Sequence, residues 1–337
     1  MVFAFRAVMI NHFANTMKQL FCIIFSLLYV GVLAQPSIDK KIRDNILANN
    51  IKSQTSLEYK FANDKPEENG IKTSVILYNT SGDITEVTTF NPKGLIVNVE
   101  KYRYDETGNK LEYTRYTGGS QGPIAYQKIS KYDTKSNVIE ENGFDGVEKF
   151  SNTYTYNAQG SLTEISYHKG GVLKEKRVFK KADLKTNVSI YNPAGKMISK
   201  LVLTYDSKDN LMEETVYGIN QDILERKTFD YDEKKNLRSE SKYKLNKMTL
   251  RTTYNYNENG DLVEIMEESQ QGGKFVKKSF SYSPKGYLIE IKWRRKANED
   301  FNRIAYSFDI KGICTQSETF YPATKYHIVT KYNYEFY

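Results

Sequence analysis

The strongest constraint in this sequence is a turn that returns at a nearly fixed interval. Its form is an aromatic residue, Asp or Asn, two variable residues, Gly, one more residue, then Leu or a relative. Clear copies are Tyr104-Asp105-Glu106-Thr107-Gly108, Tyr156-Asn157-Ala158-Gln159-Gly160, Tyr256-Asn257-Glu258-Asn259-Gly260, Tyr282-Ser283-Pro284-Lys285-Gly286 and Phe308-Asp309-Ile310-Lys311-Gly312. Weaker copies start at Tyr78, Tyr132, Phe179, Tyr205 and Tyr231, and Tyr334 opens an unfinished one. The lead aromatics recur every 23 to 28 residues and settle at 25 or 26, giving about ten units. A period of that length identifies a repeat architecture and outranks any domain count drawn from the 337-residue length.

The motif has a mechanical reading. Asx at its first position bonds back to the backbone, Pro presets the second, and Gly supplies a left-handed conformation at the end. Asn91-Pro92-Lys93-Gly94, Asn192-Pro193-Ala194-Gly195 and Ser283 to Gly286 fit a type I turn followed by a bulge. Asn91, Gly94, Asp105, Gly108, Asn157, Gly160, Asn192, Gly195, Asn257, Gly260, Gly286 and Gly312 are therefore read as structural turn residues at hairpin tips. Where Ser136, Asp209 or Lys235 replaces the Gly, an Asn follows at once and is expected to accommodate the turn, since Asn tolerates that backbone next best.

A second, looser turn falls mid-period, at Gly118-Gly119, Gly143 to Gly146, Gly170-Gly171 and Gly272-Gly273, so each unit holds two strands. Alternation supports strands in Ile304-Ala305-Tyr306-Ser307-Phe308 and Tyr332-Asn333-Tyr334-Glu335-Phe336. One face carries rings and the Leu after each tip; the other carries mostly Lys, Glu, Thr and Asn. The 27 Tyr and 17 Phe against a single Trp suit half-buried strands whose rings pack while the Tyr hydroxyls stay wet. Twenty-odd strands would make a flat sheet about 100 Å wide, and sheets twist. The expected fold is all-β: a repetitive antiparallel β-hairpin ribbon of about ten 26-residue units, coiled into a spiral, open shell or large irregular barrel, with a short N-terminal helix.

Residues 20–34, LFCIIFSLLYVGVLA, form an uncharged apolar run behind Met17-Lys18 and end on small residues before Gln35-Pro36. This is the pattern of a secretory signal peptide, and the run is short for a membrane span. Residues 1–34 are expected to be a leader starting at Met17, leaving no transmembrane helix after cleavage and placing the chain outside the cytoplasm, secreted or in the cell envelope. Cys22 goes with the leader, and the remaining Cys314 reads as a small apolar filler. Ile38, Ile42, Ile46, Leu47 and Ile51 recur at helical spacing behind Ser37, a candidate cap, which predicts a helix over 37–51. Residues 62–70 read as a linker. Residues 35–70 then form a cap and linker, and 71–337 the repeat domain.

The Tyr-x-Tyr-Asp/Asn-x-x-Gly-x-Leu unit resembles that of the YD-repeat, or Rhs-type, proteins across roughly 78–337. The resemblance implies a spiralling β-hairpin shell of the kind found at bacterial surfaces, in secreted toxins and in animal adhesion receptors. Compared with the toxin-bearing members the chain is short and lacks their Asp-Pro-x-Gly self-cleavage motif. Its last residues, Lys331 to Tyr337, are still repeat sequence and not a cargo domain.

Reactive chemistry is not prominent. His168 and His327 have no metal-ligand partner at recognised spacing, and His12 precedes the expected start. Asn257, Asn259 and Asp261 alternate like a calcium loop, but no Glu follows at the required distance. Adjacent acids such as Glu140-Glu141, Glu213-Glu214 and Glu267-Glu268 would point to opposite strand faces. No cofactor or enzymatic activity is expected. The net charge, from 49 Lys+Arg and 41 Asp+Glu, is small and scattered, which disfavours a nucleic-acid stripe. Trp293-Arg294-Arg295 is the most singular local feature and a candidate ligand site, a stacking ring beside an anion clamp. The expected function is an exported binding or scaffold protein contacting a glycan or protein. The alternatives are an outer-membrane β-barrel and a shell or immunity-like partner of a toxin system.

Overall fold

A computed structural model describes residues 36–62 and 65–337; the expected leader, with His12 and Cys22, lies outside them. Among the described residues the first element is a helix, α1 (Pro36–Ala48). Strands then follow in chain order: β1 (Ile51–Ala62), the two-residue β2 (Lys65–Pro66), β3 (Ile71–Tyr78), β4 (Ile84–Phe90), β5 (Ile96–Tyr104), β6 (Lys110–Thr117), β7 (Ile124–Tyr132), β8 (Val138–Phe144) and β9 (Lys149–Tyr156). Strands β10 to β17 continue the meander over 162–256. It ends with β18 (Leu262–Ser269), β19 (Gly273–Tyr282), β20 (Leu288–Trp293), β21 (Asn302–Phe308), β22 (Cys314–Tyr321) and β23 (Tyr326–Phe336). Two strands of this length and two tight turns account for the 26-residue period.

Each strand from β3 onward pairs antiparallel with the next. The ring is then closed by β1, which pairs with β23 from Ile51↔Phe336 to Lys60↔Ile328 and with β3 from Ser53↔Leu77 to Glu58↔Ile71. Leaving aside β2, which pairs only with the end of β1, the other 22 strands form a closed antiparallel barrel. This corrects the expected spiral or open shell. The all-β class stands, but a ribbon that coils leaves two edges, whereas here β1 fills the gap between first and last repeats and removes both. Sequence periodicity assigned β1 no role, because Ile51–Ala62 (IKSQTSLEYKFA) carries no Tyr-Asx tip and its inward positions include Gln54 and Ser56. Ile51, the last apolar position of the expected helix, instead opens this strand. The perimeter of 22 strands at ~4.8 Å is about 105 Å, so a round ring is at least about 34 Å across between backbones.

The Asn91–Gly94 and Asn192–Gly195 turns lie half a period away, on the opposite rim, and the Tyr-Asx tips together form a rim of their own. Within each, the Gly N–H bonds the Asx carbonyl, as in Gly108 to Asp105 (3.1 Å), and the register slips by one residue just before the turn. Gly94, Gly108, Gly160, Gly195, Gly260, Gly286 and Gly312 have φ of 75° to 86°. At the copies lacking Gly, the left-handed residue is Ser136 (φ 62°), Asp209 (61°) or Lys235 (65°) itself. The Asn that follows does something else: its side-chain amide donates to the Asx carboxylate, at 2.9 Å for Asn137 on Asp133, 2.8 Å for Asn210 on Asp206 and 2.9 Å for Asn236 on Asp232.

The lead tyrosines lace this rim together. The hydroxyl of Tyr104 donates to the Ile84 carbonyl (3.0 Å), Tyr132 to Lys110 (3.0 Å), Tyr156 to Val138 (2.9 Å), Tyr231 to Leu211 (3.0 Å), Tyr256 to Leu237 (2.9 Å) and Tyr282 to Leu262 (2.9 Å). Each bond ties one tip to the strand that leaves the tip before it. The hydroxyls are therefore partnered with backbone, not left to water. Across the seam, the Tyr337 N–H donates to the Asn50 carbonyl (2.9 Å) and its hydroxyl to the Tyr78 carbonyl (2.5 Å).

Helix α1 sits at the same rim, over the seam. Ile46 and Ile42 pack on Ile51, Ile76, Tyr78, Ile84, Val87, Ile313 and Tyr334. Asn45 donates to the Gly312 carbonyl (3.0 Å), and Arg43 reaches the Ser81 carbonyl (3.1 Å) and Asp83 (3.2 Å). The helix thus clamps the tips on either side of β1.

Candidate functional site

Following the ladders round the ring sorts side chains onto two faces. One carries Tyr102, Tyr113, Tyr126, Tyr154, Phe229, Tyr254, Phe280, Ile291, Ile304 and Tyr332, because each is linked to the next by direct cross-strand pairs and period-2 steps. Rings run in file along it: Tyr102 to Tyr113 at 5.1 Å, Tyr113 to Tyr126 at 5.7 Å and Tyr126 to Phe150 at 6.0 Å. The last contact skips a strand. It is possible because β8 offers Gly143 there, and a Cβ at that position would run into the Phe150 ring.

This face is the enclosed one. Burial pushes the phenols of Tyr254, Tyr256 and Tyr282 up to about 12, and those of Tyr306 and Tyr332 higher still. On the opposite face Glu140 is instead held below the ordinary carboxylate range, first by the Lys131 hydrogen bond and then by Asn142. Side chains on a concave wall converge and shield one another, so the ring face lines the inside of the barrel.

The inner wall is also charged. Glu141 accepts from Lys128 (2.6 Å), the Tyr154 hydroxyl (2.7 Å) and Asn152 (3.2 Å). Glu175 and Arg177 pair while only 5% and 7% exposed, and Lys227 meets Glu214 at 3.4 Å. Desolvating such groups is costly unless they are paired and hydrogen-bonded, and these are. The outer wall is a girdle of ion pairs on neighbouring strands: Lys101–Glu86 (3.8 Å), Arg103–Glu112 (3.3 Å), Lys131–Glu140 (2.7 Å), Lys176–Glu164 (2.6 Å), Arg226–Glu213 (2.9 Å) and Arg303–Glu290 (2.5 Å).

The Trp293-Arg294-Arg295 triplet does not converge. Trp293 ends β20 on the inner face, edge-on to Tyr321 at 6.0 Å. Arg294 is engaged by the protein itself: Nε donates to the Val276 carbonyl (2.9 Å), Nη1 to the Ala297 carbonyl (2.6 Å), and the guanidinium lies 4.5 Å from the Phe301 ring. Arg295 points to solvent in the loop that follows. The feature missed in the sequence is Lys278, which the register sets directly opposite Trp293. The signal was the alternation Lys278, Phe280, Tyr282, which puts a cation in line with two inward rings.

His327 stacks on Phe61 (3.6 Å) and bonds Glu318 (2.7 Å), both on the outer face. His168 keeps a buried Nδ1 without a partner. The Cys314 thiol is pushed up to about 12 by burial and touches the Gln316 carbonyl at 3.5 Å. Among the described residues no three His, Cys, Asp or Glu cluster as a metal site. Of the calcium-like trio, Asn257 Oδ1 is taken by the Asp261 N–H (2.9 Å).

No family model and no curated protein matches the sequence. Among solved structures, the chain is similar to TcdB2–TccC3 with Cdc42, at 13% identity and a TM-score of 0.28 over 79% of this chain, but it spans only 18% of that one. It is similar to a porin-like protein from Bacteroides uniformis, at 12% identity and a TM-score of 0.31, covering 85% of this chain and 98% of the other. A porin-like protein from Bacteroides vulgatus gives 10%, a TM-score of 0.23, and coverage of 85% and 99%. These scores are too low to carry an argument about fold or function. The resemblance to YD-repeat proteins thus stands at a toxin-complex neighbour of low identity, and the barrel rests on its own ladders.

Proposed function

We propose that the chain is a non-enzymatic β-barrel of the cell envelope or exterior that stands in water and offers its enclosed, ring-bearing wall to a ligand. Closure moves the chain away from a ribbon scaffold and towards the barrel alternative; contact with a glycan has no geometric support among the described residues. The observation that carries the reading is the charge on both walls. A lipid-embedded barrel needs an outward apolar band about 25 Å tall. Here the outer wall has its girdle of Lys, Arg and Glu, and the inner wall has Lys128, Glu141, Glu175, Arg177, Glu214 and Lys227. Neither face, turned outward, offers lipid such a band.

The second reading, an outer-membrane barrel, is favoured by the closure itself, an even-numbered antiparallel ring. One preparation separates the two. Residues 35–337, produced and refolded without detergent, are expected to run as a monodisperse β-rich species with a cooperative thermal transition. Precipitation in water, with folding only in detergent micelles, would establish the outer-membrane reading in its place.

A further inference from the structure

Lys278 sits on the inner wall between Ile265 of β18 and Trp293 of β20, both its direct cross-strand partners. Phe280, two residues along on the same face, faces Ile291. Direct partners on an antiparallel pair place their Cβ atoms about 5 Å apart, so the Lys278 stem lies among an indole, a phenyl ring and two isoleucines. All five side chains are half-buried.

Four other inner-wall cations have their own anions, while Lys110 lies over the Tyr102 ring. Lys128 holds Glu141, Arg177 holds Glu175, Lys227 holds Glu214 and Lys242 holds Glu240 at 3.5 Å. Lys278 has none: among the described residues it makes no ion pair or side-chain hydrogen bond. The carboxylate on the next inward position of β18, Glu267, is engaged by Lys277, the bulge residue beside it. Burial pushes the Lys278 ammonium down and Lys277 adds repulsion, while the Glu267 carboxylate nearby opposes the shift. An enclosed ammonium with apolar neighbours and no carboxylate in contact is a place where an anion gains the most and where an apolar body has surface to cover.

We propose that Lys278 and Trp293 form the ligand site of the inner wall, taking an amphiphilic carboxylate: the carboxylate on the ammonium, the hydrocarbon tail along Ile265, Phe280, Ile291 and Trp293. The triplet at 293–295 thus contributes its Trp, while the anion is met by a residue 15 positions earlier instead of by Arg294 or Arg295. The proposal deepens the function given above by naming a ligand class. Its test is separable from that reading, since solubility reports on the barrel's surroundings and the emission of Trp293 reports on this site alone.

Trp293 is the chain's single Trp, so its fluorescence needs no further labelling. Titration of the folded protein with decanoate, below its micelle concentration, is expected to shift the emission saturably. Decanol, with the same tail and no charge, is expected to bind at least about tenfold more weakly. Lys278→Met keeps the length and removes the charge; it is expected to fold and to weaken decanoate by a similar factor while leaving decanol unchanged. An unresponsive Trp293, equal binding of decanol and decanoate, or undiminished decanoate binding by Lys278→Met would each overturn the assignment.

Discussion

At Lys235 the chain puts a lysine where its repeats usually put glycine, with φ at 65°. A Cβ in that region costs roughly 1–2 kcal/mol, which glycine avoids. Lys235→Gly is therefore expected to stabilise the barrel by about 0.5–1 kcal/mol in urea unfolding, part of the relief being offset by the greater freedom of glycine in the unfolded chain. An unchanged or lower midpoint would show that the strain is relieved elsewhere. The acids of the tips set a pH dependence. Asp133 and Asp206 are held below the ordinary aspartate range, first by the side-chain amides of Asn137 and Asn210 and then by backbone N–H groups. A carboxylate depressed in the folded state contributes stability above its unfolded value, near 4, and loses it as pH falls through the folded one. Stability should decline from about pH 4 downward, and Asp206→Asn should flatten part of that slope. A variant with the wild-type acid profile would remove the tips from the cause.

At the scale of the element, the Tyr-Asx hairpin is a unit with a built-in fastener. Its turn chemistry was legible in the letters, because Asx and Gly have few other reasons to recur three residues apart. The tyrosine hydroxyl was not legible in the same way. Its acceptor is a carbonyl about 20 residues away, and only the pairing of adjacent strands brings the two within 3 Å. Tyr282→Phe keeps the ring and strands the Leu262 carbonyl, with an expected cost of about 0.5–1.5 kcal/mol in denaturant unfolding. A cost near zero would mean that the ring alone, as at Phe308, supplies what the tip needs. The candidate site has the same divided legibility. Trp293 was singled out as the chain's single indole, but Arg294 stood out only by adjacency and is spent on the carbonyls of Val276 on β19 and Ala297 in its own loop, whereas Lys278 comes to Trp293 by register.

For the whole molecule the decisive contact is β1, inserted between strands that lie at opposite ends of the repeat array. Its residues near Thr55 pair on both sides, with Val75 and with Asn333. Proline there removes a ladder donor in a strand with no free edge. Thr55→Pro is expected to unzip the seam and expose two long edges, which pair between molecules. Light scattering should then show larger assemblies than the parent protein forms; a variant of unchanged size and stability would mean that β1 does not hold the ring shut. Pairings that span most of the chain also carry a large loop-closure cost, so the seam is an expected late step in folding.

By itself the sequence determined the all-β class, the hairpin unit, the tip geometry and the alternation of a ring face with a polar face. Those follow from local rules: turn residues act within five positions, and strand faces alternate with period 2. The tertiary structure decided that the array closes, that its ring face is the inside and that Lys278 rather than an arginine stands beside Trp293. Closure is a property of accumulated twist and of a strand without the repeat motif. Neither leaves a mark in any 26-residue window, and both become visible only when residues from the two ends of the array are placed side by side.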